Sequence, residues 1–156
     1  MNKKRIIILI SWTVVFLWMA LIFNLSSQVA DESNKLSKGV TKIIVKTVAK
    51  VAPETDFDIS KFNHIVRKNA HFFAYLILGV LVMYAMRRSD RKGIRRVVLT
   101  LLICVLYAIS DEVHQLFVPG RGPGVKDVFI DSAGASVGIC MYRMISRIKN
   151  KVMTSR

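Results

Sequence analysis

The chain has 156 residues, 53% of them hydrophobic, and carries 24 Lys and Arg against 10 Asp and Glu, a formal net charge of +14; its mean hydropathy is +0.40. So high an apolar fraction excludes a disordered chain, and basic clusters alternating with hydrophobic runs about as long as a bilayer crossing exclude an ordinary soluble domain and a nucleic-acid module. The size fits a single membrane-embedded domain over residues 1–156.

The first apolar run, 6–25, is free of charge and follows Lys3, Lys4 and Arg5. It is longer than the apolar core of a cleaved signal, and no small-residue cleavage pattern follows it, so a retained first span is expected. The segment 26–69 comes next and is expected to be external. Within it Lys38, Lys42, Lys46 and Lys50 recur every four residues, while Leu36, Val40, Ile44, Val48 and Val51 fill another face. That spacing predicts an amphipathic helix ended by Pro53, its apolar face suited either to the lipid interface or to the rest of the bundle. An acidic stretch, 54–58, reads as a loop. Further runs at 70–86, 97–117 and 127–142 complete the expected spans, the last close to the shortest length that crosses a bilayer. The expected fold is therefore all-α: a polytopic bundle of four transmembrane helices with an external amphipathic helix.

Charge assigns the sides. Residues 1–5 hold three basic side chains, 87–96 hold six and 143–156 hold five, with Asp90 the lone acid among them. The segment 26–69 has a net charge of +3 and the stretch 110–131 a net charge of −2. Because cationic loops stay inside, both termini and the 87–96 loop are expected in the cytoplasm of a bacterial cell, with the chain crossing its membrane several times. Most of the basic charge is then an orientation signal. Cys104 and Cys140 lie inside apolar runs and far from a Cys-x-x-Cys spacing, which suggests small buried hydrophobes and no disulfide or zinc knuckle.

Charged groups within spans cost at least roughly 2.5 to 3.5 kcal/mol near the bilayer centre, so their placement is informative. They gather at one end. Arg67 and Lys68 precede span two, with His71 and Tyr75 one turn apart on one face. In span three, Tyr107, Asp111, His114 and Gln115 share a face at spacings of three and four, with Glu112 about 100° round from Asp111. Asp111 lies about 9 Å short of the end of that span, within the outer leaflet. Span four starts at Asp127 and places Asp131 one turn deeper. Three helix ends are thus expected to converge on an external polar site. The connector 118–124 holds three glycines and two prolines around Arg121, a composition that forbids regular structure and permits tight turns. Arg121 suits either a phosphate or carboxylate ligand or an internal acid such as Asp111, Glu112 or Asp127. Gly134-x-x-x-Gly138 in span four allows close helix packing.

Several of these blocks together resemble one family. Ser26-Ser27-Gln28, Arg67-Lys68-x-x-His71-Phe72-x-x-Tyr75-x-x-Leu78-Gly79, Ser110-Asp111-Glu112-x-His114-Gln115-x-Phe117-x-Pro119-Gly120-Arg121, Asp127-Val128 and Gly134-x-x-x-Gly138 are similar to the VanZ-like family over about residues 6–142. Two positions depart from the expected pattern: Ala74, where an acid is expected before the tyrosine, and Asp131, where asparagine is expected. The resemblance implies a membrane protein linked to reduced susceptibility to teicoplanin and related lipoglycopeptides, acting without rewriting the peptidoglycan precursor.

Three functions stay open at this level. The first is a binder of a lipid or lipid-linked cell-wall precursor head group, held by Arg67, Lys68 and Arg121 with His71, Tyr75, Gln115, Asp127 and Asp131 around it. The second is an intramembrane hydrolase or transferase using Asp111, Glu112 and His114 as acid and base. His71, His114 and an acid could bind a divalent metal, but no dense ligand motif accompanies them, and no metal site is assigned. The third is a structural cluster that only pins the helices, with His71 bonded to Asp111 or Glu112 and Arg121 to Asp127. The cofactor is not specified. The expected partners are membrane lipids, with no nucleic acid, and a homo-oligomer is left open.

Overall fold

The computed structural model describes residues 2–27, 59–89, 93–119 and 124–154. They form four helices, α1 (Lys3–Ser26), α2 (Ile59–Arg88), α3 (Gly93–Gln115) and α4 (Val125–Thr154). Each contains a stretch long and apolar enough to cross a membrane. No strand occurs among the described residues, so the expected four-helix membrane bundle is the observed architecture. The amphipathic helix expected around the four lysines, and the acidic stretch 54–58, lie outside the described residues.

Helix ends differ from the expected span ends for identifiable reasons. The membrane-length part of α2 begins at Lys68, near the expected start at 70, but the helix itself starts at Ile59. The stretch 59–67 includes Lys61, Asn63 and Arg67, which lower the hydropathy of the sequence there and are compatible with helical backbone. In the same way α4 runs on to Thr154, because the Arg- and Lys-rich stretch after Tyr142 lowers hydropathy without breaking the helix. Conversely, α3 ends at Gln115 and not at 117. The amides of Leu116, Phe117 and Val118 bond to carbonyls three residues back, at 3.3, 3.0 and 3.1 Å, and the proline at 119 disfavours helical backbone at Val118. At the other end of α3, Gly93 has φ +62°, a left-handed conformation that glycine adopts without a Cβ penalty.

The most extensive helix pair is α2 with α4. Gly134 sits against the carbonyl of Phe72, Gly138 against that of Leu76, and Gly79 against that of Ala135, so a Cβ at any of the three would overlap backbone. The small-residue pattern read in span four is thus a packing surface. Helix α1 leans on α2, while α3 packs on α2 and α4. Val15, Ile22, Leu78, Val82, Cys104 and Ala135 form part of the core between them. Outward side chains are largely apolar, including Phe16, Leu17, Phe117 and Phe129, a surface unsuited to water and normal against lipid. Cys140, expected to be buried, is exposed on this outer surface, whereas Cys104 is buried.

At the basic end, Trp12 Nε1 donates to Ser89 Oγ at 3.2 Å and Arg87 donates to Ser146 Oγ at 2.6 Å. These contacts gather the start of α1, the end of α2 and the far part of α4. The ends carrying Ser26, His71, Asp111 and Asp131 accordingly meet at the opposite pole.

Candidate functional site

At this polar pole the last turn of α1 presents Ser26, which is fully buried. Its hydroxyl donates to Asp111 Oδ2 at 3.0 Å and accepts from Gln115 Nε2 at 2.9 Å. Gln115 Nε2 also reaches Glu112 Oε1 at 3.2 Å and Asp111 Oδ2 at 3.4 Å. One turn deeper, the Tyr107 hydroxyl donates to the Met19 carbonyl at 2.5 Å. The His114 ring stacks on Phe23 with centroids 4.2 Å apart. Tyr107, Asp111, His114 and Gln115 do share one face, as their spacing predicts, and that face meets α1.

Glu112 points elsewhere. Its Oε2 accepts the Gly124 amide at 2.9 Å, and the Gly124 carbonyl in turn accepts from Asp127 N at 2.7 Å. The carboxylate therefore caps the start of α4 from a different helix, where the unpaired amides and the helix dipole favour negative charge. This fixes α4 on α3.

Helices α2 and α4 contribute the rest. Lys68 Nζ lies 2.9 Å from Asp127 Oδ1, both side chains about a third exposed, at 29% and 32%. One turn further in, His71 Nδ1 lies 3.8 Å from Asp131 Oδ2, an ion-pair distance beyond hydrogen-bond range. The sequence suggested Asp111 or Glu112 as the histidine's acidic partner; the structure places Asp131 there, with Asp111 close by. His71, Asp111 and Asp131 each offer a donor atom within 4.8 Å of the others. His114, weighed with His71 as a metal ligand, does not belong to this group. Tyr75 is buried beside Tyr107, ring centroids 6.0 Å apart.

The cluster thus has two halves of different character. Around Ser26 and Gln115, His114 Nε2 apart, the polar atoms are paired, and the bonds tie α1 to α3. Facing α2 and α4 they are not: Asp111 Oδ1, both carboxylate oxygens of Asp131 and the Tyr75 hydroxyl are buried without a hydrogen-bond partner. Asp111 and Asp131 are each only 1% exposed. Unpaired polar groups at membrane depth are costly, so each calls for a partner such as an ordered water or an ion.

Of the candidate residues, Lys68, His71, Tyr75, Asp111, Glu112, His114, Gln115, Asp127 and Asp131 all lie at this pole. Arg121 and its turn are outside the described residues, and so is the Arg67 side chain. Ser26 is the member that spacing arguments missed. A buried serine closing an apolar span was its only local signal, although the Ser26-Ser27-Gln28 block carried part of the family resemblance.

A family model described as VanZ/LLP1 matches residues 11–146, a stretch that reaches from α1 into α4 and contains every member of this cluster. Comparison with curated proteins and with solved structures finds no match.

Proposed function

The chain belongs to the VanZ/LLP1 family, and from that premise we propose that it is a multi-pass bacterial envelope protein whose polar pole faces outward and takes the head group of a lipid or lipid-linked wall precursor. Both termini then lie in the cytoplasm, in keeping with the cationic loops. Occupying or withdrawing such a lipid changes access of teicoplanin-type lipoglycopeptides, which act at the same surface.

The observation that carries this function is the partly exposed Lys68–Asp127 pair, 2.9 Å apart, at the mouth of a buried cluster whose inner oxygens are unpaired. A phosphate arriving at the membrane surface competes with Asp127 for the ammonium, and an interfacial lysine contributes about 1 kcal/mol toward an anionic head group. Arg67 is next to Lys68 in sequence and Arg121 is six residues before Asp127; both cations would add to that attraction. The paired half around Ser26 supports a structural role for Gln115 and Glu112, so pinning and binding are divided between residues. Enzymatic chemistry is favoured by one feature only, the unpaired oxygens of Asp111 and Asp131 beside His71, where a water would be held and activated.

The test is antibiotic susceptibility in a host lacking a homologue, expressing wild type, Lys68→Gln, Asp131→Asn or Arg121→Ala at matched membrane abundance. Wild type is expected to protect several-fold against lipoglycopeptides and not against control wall inhibitors, with the variants failing. Equal protection by all the variants reduces the cluster to structure. Absence of protection by wild type removes the resistance role.

A further inference from the structure

We propose that His71, Asp111 and Asp131 form a binding site for one divalent cation of the zinc or manganese kind at the junction of α2, α3 and α4. Their donor atoms lie within 4.8 Å of one another and come from three separate helices. Donors around a tetrahedral ion with bonds of about 2.1 Å stand about 3.4 Å apart. The 3.8 Å between His71 Nδ1 and Asp131 Oδ2 is close to that spacing, and with the other separations within 4.8 Å the donors draw together by up to about 1.4 Å to hold the ion.

A second observation points to the cation independently of the grouping. Asp131 is 1% exposed and neither of its oxygens has a hydrogen-bond partner. Asp111 is divided: Ser26 and Gln115 hold Oδ2, while Oδ1 is buried without a partner. Holding one oxygen to aim the other is how outer-shell residues orient a metal-ligating carboxylate. Two carboxylates in a low-dielectric site also carry charge that a divalent ion neutralises. The nearby Lys68 is already engaged with Asp127.

The donor set narrows the ion. One imidazole with two carboxylates suits zinc or manganese; calcium takes six to eight oxygens, and copper(I) prefers sulfur. Zinc binds the tighter of the two by the usual order of affinities. Three protein ligands leave a coordination position open to water or to a phosphate oxygen of the head group proposed above. That last step rests on the lipid function; the cation itself does not.

The experiment uses the full chain with a tag free of histidine, in nanodiscs of zwitterionic lipid, stripped with chelator and re-equilibrated with zinc or manganese. Metal per chain is measured by mass spectrometry after gel filtration, and zinc-edge X-ray absorption is recorded on wild type. The proposal expects one zinc per chain, with oxygen and single-imidazole scattering. It expects affinity at least about tenfold weaker in His71→Gln and Asp131→Asn, and weaker at unchanged stoichiometry in Ser26→Ala. Wild type retaining no more zinc than Asp131→Asn overturns it. So does sulfur scattering, or a spectrum without imidazole, a readout that holds even if a variant fails to fold. Neither measurement involves an antibiotic or an anionic lipid, so its failure is separate from failure of the lipid function.

Discussion

Ser26 and Asp111, 85 residues apart in sequence, are joined by a 3.0 Å hydrogen bond from the serine hydroxyl to Oδ2. The bond closes the polar end of α1 onto α3, where Tyr107 also bonds to the Met19 carbonyl and His114 lies against Phe23. Replacing Ser26 with alanine removes this donor and also the acceptor used by Gln115. Interhelical hydrogen bonds in membranes are worth about 0.6 kcal/mol on average and up to about 1.7. Ser26→Ala is therefore expected to destabilise by about 1 to 2 kcal/mol, since two bonds go at once, as read by reversible unfolding in mixed detergent micelles. A change below the error of the measurement would show that α1 is held by its other contacts, among them the Tyr107–Met19 and Trp18–Ala74 hydrogen bonds.

The tightest packing constraint lies elsewhere. Gly134 and Gly138 face the carbonyls of Phe72 and Leu76, where even a methyl group overlaps backbone. Backbone cannot yield as a flexible side chain does, so Gly138→Ala is expected to cost about 1 to 3 kcal/mol, and a larger residue more. Val137, between them in sequence, is exposed, and Val137→Leu should be neutral. Membrane abundance and thermal melting of the two variants side by side provide the check.

Glu112 separates charge from hydrogen bonding. Its Oε2 accepts the Gly124 amide at the start of α4, and a glutamine retains an acceptor there while losing the interaction with the helix dipole. Glu112→Gln is expected to cost about 0.3 to 1 kcal/mol. Glu112→Ala leaves the part-buried Gly124 amide without this acceptor and should cost about 1 kcal/mol more than the glutamine. If glutamine instead abolishes protection against lipoglycopeptides at normal abundance and stability, the carboxylate acts in the site itself and its role as a cap is secondary.

The polar face of α3 was legible because a helical face depends only on spacing: residues 107, 111, 114 and 115 must point together. Which neighbour that face meets is not contained in spacing, and so α1, through Met19, Phe23 and Ser26, enters the site only in the folded bundle. Span positions were legible from hydropathy, but hydropathy reports the hydrocarbon boundary and not the backbone, which is why the early start of α2 and the long tail of α4 were invisible. Pairing across α2 and α4 was the least accessible. The sequence offered His71 only Asp111 or Glu112 as an acidic partner, and the register imposed by Gly134 and Gly138 against α2 brings Asp131 to it instead.

The Lys68–Asp127 pair offers a sign test of the proposed site. Both side chains are about a third exposed, so their coupling contributes at most about 1 kcal/mol to stability. Lys68→Gln and Asp127→Asn should each leave unfolding within that range. Their effects on anionic lipid should be opposite. Losing the lysine removes about 1 kcal/mol of attraction, or about fivefold in affinity. Losing the aspartate frees the ammonium and takes away a competing anion, so retention of lipid should rise. Native mass spectrometry of lipid adducts, comparing anionic with zwitterionic phospholipid, reads both variants directly. Weakening by both substitutions would mean that the intact ion pair, and not the lysine alone, is what the head group meets.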